Sequence, residues 1–233
     1  MADPSLAVVI GANRGIGLGV VKELLRRDWS VIATARRPDA ANDLKALIAE
    51  HPGRLEIQAL DMTDTGQLDA FASAMGSRKL DAILVNAGIP GPDHKSASQA
   101  TAAETGALMF TNAIAPIRLA RALAGSVREK TGVLAFTSSI MGSVALNGDS
   151  YHELYRASKA ALNSLSRGLW SEVKGRGLTV LTLHPGWVRT DMGGPSAPVG
   201  VEESTRGLVD VIERERGKRH HAFLDFTGEE LAW

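Results

Sequence analysis

Tyr155 and Lys159 lie four residues apart near the start of an alanine-rich stretch, and together they could transfer a proton. Residues i and i+4 share one face of a helix, so the phenol and the ammonium can face the same cleft. A free tyrosine has a pKa of about 10, too high for efficient proton transfer at neutral pH, and a neighbouring cation lowers it. By itself the spacing is weak evidence, because a solvated helix face can carry the same two residues.

Two serines, Ser138 and Ser139, follow an apolar run at 133–137 and could present a hydroxyl to the same cleft. Adjacent residues of an extended strand point to opposite sides, so only one serine can readily share a carbonyl oxygen with Tyr155. The strand pattern alone does not choose between them.

The beginning of the chain has the pattern of a phosphate site. An apolar run at 6–10 leads into Gly11, Gly15 and Gly17, and a helical pattern follows. Backbone without a Cβ can approach a phosphate closely, and the N–H groups at the start of the helix face the anion. The spacing G-x-x-x-G-x-G differs from the G-x-G-x-x-G of dinucleotide-binding folds, and an ordinary glycine-rich turn is the alternative interpretation.

Strand-like and helical segments alternate along the chain, which predicts an α/β fold. Right-handed crossovers then give one Rossmann-type domain over residues 1–233, with a doubly wound, mostly parallel seven-stranded sheet and helices on both faces. The residues that could do chemistry follow strand ends, the edge where such sheets bind ligands. The predicted strands are 6–10, 30–35, 55–60, 81–86, 132–138, 178–184 and 222–226, and the predicted helical stretches are 16–27, 40–50, 65–75, 97–125, 152–174 and 202–215.

The predicted second strand ends at Ala35 and is followed by Arg36 and Arg37. A carboxylate here, about 20 residues beyond the glycine turn, would bind a ribose 2′-hydroxyl and repel a 2′-phosphate. Two guanidiniums favour the phosphate, with Arg14 in the glycine turn as a third candidate, so the pattern indicates NADP(H) rather than NAD(H). A surface cluster of basic residues is the alternative.

Composition and charge exclude several classes of protein. Basic and acidic residues balance at 26 each, which gives no reason to expect a nucleic-acid or membrane partner. Without cysteine there is neither a disulfide nor a thiolate zinc site, and the six histidines have no metal-ligand spacing. The N-terminus lacks a basic leader segment, and no apolar run reaches the roughly 18 residues of a membrane helix. We therefore expect a cytoplasmic protein without a bound metal.

In their order along the chain, the motifs resemble those of the short-chain dehydrogenase/reductase family over essentially the whole sequence. They are the glycine pattern, Asn86-Ala87-Gly88, Asn112, the serine pair, the Tyr-x-x-x-Lys spacing and Pro185-Gly186. Within the family, the chain looks like the C-factor and sniffer-type carbonyl reductase branch. This resemblance lies in segments 184–195 and 228–233 and in the long gap between Ser139 and Tyr155. The resemblance implies an NADPH-dependent carbonyl reductase for a small-molecule carbonyl or alcohol, assembled as a homodimer or homotetramer.

The resemblance also implies roles for the catalytic residues. Tyr155 donates a proton to the carbonyl oxygen, while Lys159 lowers the pKa of Tyr155 and holds the ribose. Ser139 hydrogen-bonds the same oxygen, because the match of Ser-Ser-x-x-Gly selects it over Ser138. Asn112 bends its helix and anchors a relay water, for which a proline four residues later could free the Asn112 carbonyl.

The other family positions would hold the cofactor. Asp61 would accept a hydrogen bond from the adenine amino group with Met62 beside the ring, although Asp61 also fits a plain turn before a helix capped by Thr63 or Asp64. The cofactor set implied by the resemblance is Gly11, Asn13, Arg14, Gly15, Ile16, Gly17, Arg36, Arg37, Asp61, Met62, Asn86, Ala87, Gly88, Tyr155, Lys159, Pro185, Gly186, Val188 and Thr190.

Three features depart from the family pattern or leave alternatives open. Ile10 stands where the family usually has a threonine whose hydroxyl braces the glycine turn. Segment 192–201 is rich in Gly, Pro and Ala, which predicts an open, mobile lid over the substrate. The apolar C-terminal residues Phe223, Phe226 and Trp233 could belong to the core or to a subunit contact.

Two other functions compete with carbonyl reduction. A cofactor-binding regulatory or signalling protein could use the same fold with little turnover, because a fold does not fix a function. The epimerase/dehydratase branch shares Tyr-x-x-x-Lys but generally carries a larger C-terminal substrate domain, for which 233 residues leave no room. The complete Asn–Ser–Tyr–Lys set favours the reductase.

Overall fold

A computed structural model describes residues 4–233 and contains one sheet of seven strands. The strands are β1 (Leu6–Ile10), β2 (Ser30–Ala35), β3 (Leu55–Ala59), β4 (Ala82–Val85), β5 (Val133–Thr137), β6 (Thr179–His184) and β7 (His221–Asp225). Their order is β3-β2-β1-β4-β5-β6-β7, and every neighbouring pair is parallel, which confirms the predicted fold class. Residues 1–3, in the segment where the sequence predicts no leader, lie outside the described range.

Helices connect the strands and cover both faces of the sheet. They are α1 (Gly15–Arg26), α2 (Asn42–Glu50), α3 (Thr65–Met75), α4 (Ala102–Met109), α5 (Ala115–Leu123), α6 (Glu153–Val173) and α7 (Val201–Glu215). Among residues 4–233, no helix combines the length and the apolar character needed to cross a membrane.

The central strands bury both faces. In β1, Ala7 and Val9 pack in a core with α1, α2 and α7, while Val8 and Ile10 pack in a second core with α3, α5 and α6. A strand covered on both sides has an apolar residue at every position, and this is why the sequence shows continuous apolar runs rather than alternation.

The predicted helical stretch 97–125 is interrupted by a π-helical turn at Phe110–Ile114, between α4 and α5. Pro116 lies in the first turn of α5 and has no N–H to bond to the Asn112 carbonyl as a continuous α-helix would. The turn buries Asn112 completely. The chain thereby inserts a polar amide into the helix that borders the carboxyl edge of the sheet.

The C-terminal aromatic residues pack within the chain. Phe223 is fully buried, and the Trp233 ring centroid lies 4.6 Å from that of His221 and 5.4 Å from that of Phe223. Ala145, in the long loop between β5 and α6, donates its N–H to the Trp233 carbonyl at 2.9 Å. For Phe223, these contacts decide between the two alternatives in favour of the core.

The strand order reverses beside β1, because the chain runs outward to β3 and then returns to the other side of β1 with β4. At such a reversal the connections leave towards opposite faces, which opens a crevice at the carboxyl ends of the strands. The residues that follow Ile10, Ala35, Val85, Thr137 and His184 therefore meet at one edge.

Candidate active site

The glycine turn after β1 is shaped for close approach. Gly11 and Gly15 have φ angles of +79° and +55°, a region that side-chain-bearing residues rarely adopt. A Cβ at Gly17 would lie 2.1 Å from the Gly11 carbonyl oxygen, so only glycine fits there. The first turn of α1 has no acidic residue, and Arg14 at its N-cap makes no side-chain capping bond. The N–H groups at the start of α1 therefore face an anion site to which α1 itself contributes no carboxylate.

Thr34 braces the glycine turn. It takes the role of the threonine that the family usually has at the position of Ile10. The Gly11 N–H donates to Thr34 Oγ1 at 3.1 Å, and Asn86 Nδ2 donates to the Gly11 carbonyl at 3.1 Å. Because β2 and β4 flank β1, a hydroxyl at the end of β2 can hold the turn from the side. Two further predicted cofactor residues of the turn are Asn13, which is exposed, and Ile16, which packs against the core.

The end of β2 carries the two predicted phosphate ligands. Ala35 is buried, while Arg36 and Arg37 are exposed and form no ion pair with any residue in the 4–233 range. Arg14 differs from them because its guanidinium pairs with Asp191, in the segment after β6. Arg14 therefore has a carboxylate partner that Arg36 and Arg37 lack, and its role as a phosphate ligand stays a prediction.

The structure shows Asp61 in the turn before α3, and its contact with adenine stays a prediction. Its Oδ1 accepts hydrogen bonds from the N–H and the hydroxyl of Thr63, at 2.8 and 2.7 Å, and these bonds lower the pKa of Asp61. Asp64 caps α3 by accepting from the N–H groups of Gly66 and Gln67. The turn thus fixes Asp61 at the carboxyl edge as an ionised acceptor.

Met62 lies largely in the core. The residue is 5% exposed and packs with Leu60 and Leu68. Its place beside an adenine ring stays a prediction. The sequence pattern does not separate the two possibilities, because an apolar residue after a strand end fits a core position and a ligand wall equally well.

The Asn86-Ala87-Gly88 segment joins three strands. Thr137 Oγ1 donates to Asn86 Oδ1 at 3.1 Å, on the opposite side of the amide from the bond to Gly11. A Cβ at Gly11 would come within 2.9 Å of the Ala87 Cα, so these two turns are in direct contact. A Cβ at Gly88 would lie 3.3 Å from Asn112 Oδ1 and 3.5 Å from Lys159 Nζ. Gly88 thus leaves space beside both predicted catalytic groups.

Asn112 is held at the π-helical turn by its own side chain. Its Oδ1 accepts the Ile89 N–H at 2.8 Å, and its Nδ2 donates to the Ile89 carbonyl at 2.8 Å and to Ser158 Oγ at 3.0 Å. The side-chain amide already bonds within the protein, and Pro116 has no N–H for the backbone carbonyl of Asn112, so this carbonyl is the group we assign to the predicted water.

Ser138 and Ser139 occupy different environments. Ser138 Oγ donates to Asn163 Oδ1 at 2.6 Å and is 2% exposed. Ser139 Oγ accepts the Met141 N–H at 3.1 Å and begins a short 3-10 turn at Ile140–Gly142. That acceptor bond leaves the Ser139 hydroxyl proton available as a donor.

Tyr155 and Lys159 lie on one face of α6. Lys159 Nζ is 5.6 Å from the centroid of the Tyr155 ring and donates to the Thr137 carbonyl at 2.9 Å. Burial raises the pKa of Tyr155 to about 12 and lowers that of Lys159 to about 8. In this structure desolvation of the phenol outweighs the cation, because Lys159 makes its hydrogen bond to the Thr137 carbonyl, and the lowering of the Tyr155 pKa by Lys159 stays a prediction.

The segment after β6 lies over the glycine turn. Ser204 Oγ donates to the Pro185 carbonyl at 2.6 Å, and Gly186 has a φ of +85°. Val188 is buried and bridges to Val199. A Cβ at Gly15 would lie 3.4 Å from Thr190 Cγ2, so Thr190 borders the anion site.

The predicted open lid is tied to this segment. Arg189 Nη1 donates to the carbonyls of Ala197 and Pro198 at 2.9 and 2.6 Å, and Trp187 Nε1 donates to the Gly193 carbonyl at 2.7 Å. These bonds close the segment on itself. The Gly, Pro and Ala content of segment 192–201 could not predict these bonds, because the donors Trp187 and Arg189 precede that segment.

Sequence patterns missed several residues that shape the site. Thr34 and Thr137 end neighbouring strands, and a search for hydroxyls at strand ends would have included them. Ser158 bonds to the Asn112 amide, and Asn163 continues the i, i+4 row that begins with Tyr155 and Lys159. A buried polar residue on that row is the signal that points to Asn163.

The chain matches the family model described as short chain dehydrogenase over residues 5–198. It is 35% identical to the C-signal protein of Myxococcus xanthus over 167 residues, which are 70% of this chain and 99% of that protein. The resemblance to this family, found in the motifs, is therefore confirmed.

Solved structures agree with this assignment. A carbonyl reductase from Pseudomonas aeruginosa PAO1 in complex with NADP is 43% identical, with a TM-score of 0.92 over 99% of this chain and 100% of that one. The carbonyl reductase Sniffer of D. melanogaster is 30% identical, with a TM-score of 0.88 over the full length of both chains. The protein is a short-chain dehydrogenase/reductase oxidoreductase of the branch that contains C-signal and the carbonyl reductases.

Proposed function

We propose that this protein is an NADPH-dependent carbonyl reductase in which Tyr155 donates the proton. The observation that carries the proposal is Lys159, an ammonium that is 4% exposed and pairs with no carboxylate among residues 4–233. A buried, unpaired charge is costly, and proteins keep such groups mainly where function needs them. It lies beside Gly88 and faces the Tyr155 ring, where a ribose and a carbonyl oxygen would meet.

The residues around the crevice fit a dinucleotide. The glycine turn and the start of α1 suit the pyrophosphate, and Asp61 suits an amino donor of adenine. Lys159 uses one of its three donors on Thr137, which leaves two for ribose hydroxyls. The backbone of Val188, beyond Pro185, would hold the nicotinamide carboxamide, and Thr190, which borders the glycine turn at Gly15, would approach the phosphates.

The absence of an acid at Ala35 favours NADPH over NADH. The exposed guanidiniums of Arg36 and Arg37 would bind a 2′-phosphate, which both the charge and the planar donor geometry suit. The NADP complex of the Pseudomonas aeruginosa relative supports the same preference. Arg14 would join them only after leaving Asp191.

The chain would control the proton and the position of the substrate, and the bound nicotinamide would supply the hydride to the carbonyl carbon. Tyr155 is protonated at neutral pH, as its ordinary pKa of about 10 already ensures, and that is the form needed to protonate the carbonyl oxygen. Ser139 would donate its hydroxyl proton to the same oxygen. Lys159 would hold the ribose, and Asn112 would anchor a water through its backbone carbonyl.

Apolar side chains on three loops suggest the substrate class. Ile89 follows β4, Ile140 follows Ser139, and Trp187 with Met192 follows β6; each is more than a third exposed. Exposed apolar side chains grouped around a polar site are typical of a pocket for a largely apolar ligand. We expect aromatic or aliphatic ketones, aldehydes and dicarbonyls to be reduced faster than sugars.

A regulatory protein with little turnover is the second candidate, and the match to a protein named C-signal favours testing it. The loss of NADPH absorbance with a reactive aromatic dicarbonyl distinguishes the two. Turnover that disappears in Tyr155→Phe supports the reductase, whereas tight NADPH binding without turnover across a carbonyl panel supports the regulator. We also propose a homodimer or homotetramer, which light scattering during size-exclusion chromatography tests directly.

A further inference from the structure

Asn163 lies on the same row of α6 as the proton donor and the ammonium. Tyr155, Lys159 and Asn163 follow each other at intervals of four residues, so they share one helix face. Asn163 is 4% exposed. A buried amide is unfavourable unless both its donor and its acceptor are satisfied, and in Asn163 both are used on the segment that carries Ser139.

The Asn163 amide bonds to both ends of the Ser139 turn. Its Oδ1 accepts from Ser138 Oγ at 2.6 Å, and its Nδ2 donates to the Gly142 carbonyl at 3.2 Å. Between these two points, the Gly142 N–H donates to the Ser139 carbonyl at 2.8 Å. One side chain therefore connects the residue before Ser139 and the end of the turn that Ser139 begins.

The turn also contacts α6 at Lys159. A Cβ at Gly142 would lie 2.8 Å from the Lys159 carbonyl carbon and 2.9 Å from the Lys159 Cβ. Asn163 lies one helical turn further along α6, so the Ser139 turn contacts the helix at both Lys159 and Asn163. Two contacts fix both the distance of the Ser139 turn from α6 and its orientation relative to the helix.

We propose that Asn163 is a positioning residue that fixes the Ser139 hydroxyl relative to Tyr155, a role that rests on the function proposed above. Asparagine suits it because its acceptor serves Ser138 while its donor serves Gly142. Aspartate would place a carboxylate oxygen against the Gly142 carbonyl, and leucine would leave both partners unsatisfied. Because the reacting groups need a narrow geometry, a shift of about 1 Å costs up to roughly 100-fold in rate.

We call the two hydrogen bonds of the Asn163 side chain, to Ser138 and to Gly142, the clamp. Steady-state kinetics of two variants test the proposal, because Asn163→Leu removes both bonds and Ser138→Ala removes the first. For Asn163→Leu we expect kcat to fall about 10- to 100-fold, with the dissociation constant for NADPH within about 2-fold of wild type. Ser138→Ala leaves the core volume nearly unchanged, so it remains informative if the leucine variant does not fold, and its kcat should fall about 3- to 10-fold. Unchanged kcat in folded Ser138→Ala would overturn the clamp.

Ser166→Ala is the matched control. Ser166 is also buried on α6, but its hydroxyl bonds to the Asn163 carbonyl and to His221, away from the Ser139 turn. We expect it to lower the midpoint of thermal unfolding while leaving kcat unchanged. An equal loss of kcat in the control would show that any buried bond of α6 affects turnover, which contradicts a specific role for Asn163.

The decisive measurement is the double-mutant cycle with Ser139→Ala. That single change should lower kcat about 100- to 1000-fold, as expected for the loss of a donor to the reacting oxygen. In the Ser139→Ala background, Ser138→Ala and Asn163→Leu should cause no further loss, because they act through Ser139. If Ser139→Ala keeps full turnover, the proposed function is wrong at Ser139. If Ser139→Ala loses turnover but the effects multiply, the clamp alone is wrong.

Discussion

The Lys159 ammonium faces the Tyr155 ring with 5.6 Å between Nζ and the ring centroid, while its hydrogen bond goes to the Thr137 carbonyl. The cation therefore lies near the aromatic ring rather than in a hydrogen bond with the phenol oxygen. Burial then dominates both groups, and it favours the neutral form of each.

Replacing Tyr155 by phenylalanine should abolish reduction and leave NADPH binding nearly intact. The substitution removes only the hydroxyl that supplies the proton, and the ring remains to fill its site. Turnover and fluorescence titration with NADPH measure the two effects separately. Lys159→Ala is the comparison, since it should weaken both. Substantial turnover by the phenylalanine variant would remove Tyr155 from the acid role.

Lys159→Met should make the protein more stable at neutral pH while turnover is lost. Burial lowers the pKa of Lys159 from 10.5 to about 8, so the folded state binds its proton less tightly than the unfolded state. The protonated lysine therefore lowers the free energy of unfolding. This destabilisation is absent well above pH 10.5, grows as the pH falls towards 8, and is constant at lower pH. Lys159→Met removes this destabilisation but also loses the hydrogen bond to Thr137. We therefore expect its unfolding free energy to exceed that of the wild type by about 2 kcal/mol at pH 7.

Urea unfolding of the wild type and of Lys159→Met at pH 7 and pH 10 checks that gain. The difference in unfolding free energy between the two proteins should be smaller at pH 10, where the ammonium is mostly deprotonated in the folded state. An equal difference at both values would assign it to packing rather than to charge.

Cofactor preference should depend on the end of β2. Ala35→Asp combined with Arg36→Ala adds a carboxylate for a 2′-hydroxyl and removes a guanidinium from the 2′-phosphate, so preference should move towards NADH. The ratio of kcat/KM for the two cofactors measures it. Equal affinity of the wild-type protein for NADH and NADPH would contradict the assignment of Arg36 and Arg37.

Asp191→Asn should tighten NADPH binding. Arg14 pairs with Asp191 across the mouth of the crevice, and both side chains are largely exposed, so the carboxylate competes with a phosphate for the guanidinium. Because exposed pairs are weak, we expect a change of about 2- to 5-fold at low salt that disappears at high salt. Arg14→Ala should remove the effect of Asp191→Asn, and an unchanged affinity at low salt would exclude the competition.

The fold could be predicted from the sequence because the apolar runs, the helical segments between them and the motifs at the strand ends all indicate the same architecture. Predicted and observed strands differ by at most a residue at either end, since buried parallel strands leave continuous apolar runs. The helical pattern at 97–125 could not show the π-helical turn, which depends on the burial of Asn112 against Ile89 and Ser158. The burial of Met62 could not be predicted either, because an apolar side chain alone does not show whether it faces the core or a ligand.

The sequence by itself determined the order of strands and helices, the glycine turn and the shared helix face of Tyr155 and Lys159, because these depend on local spacing. Only the tertiary structure decided that Thr34 braces Gly11, that Arg14 pairs with Asp191 and that Ser138 is bound by Asn163. Those pairs are far apart in the chain. They meet because sheet register and helix packing bring them together, and no local pattern records that geometry.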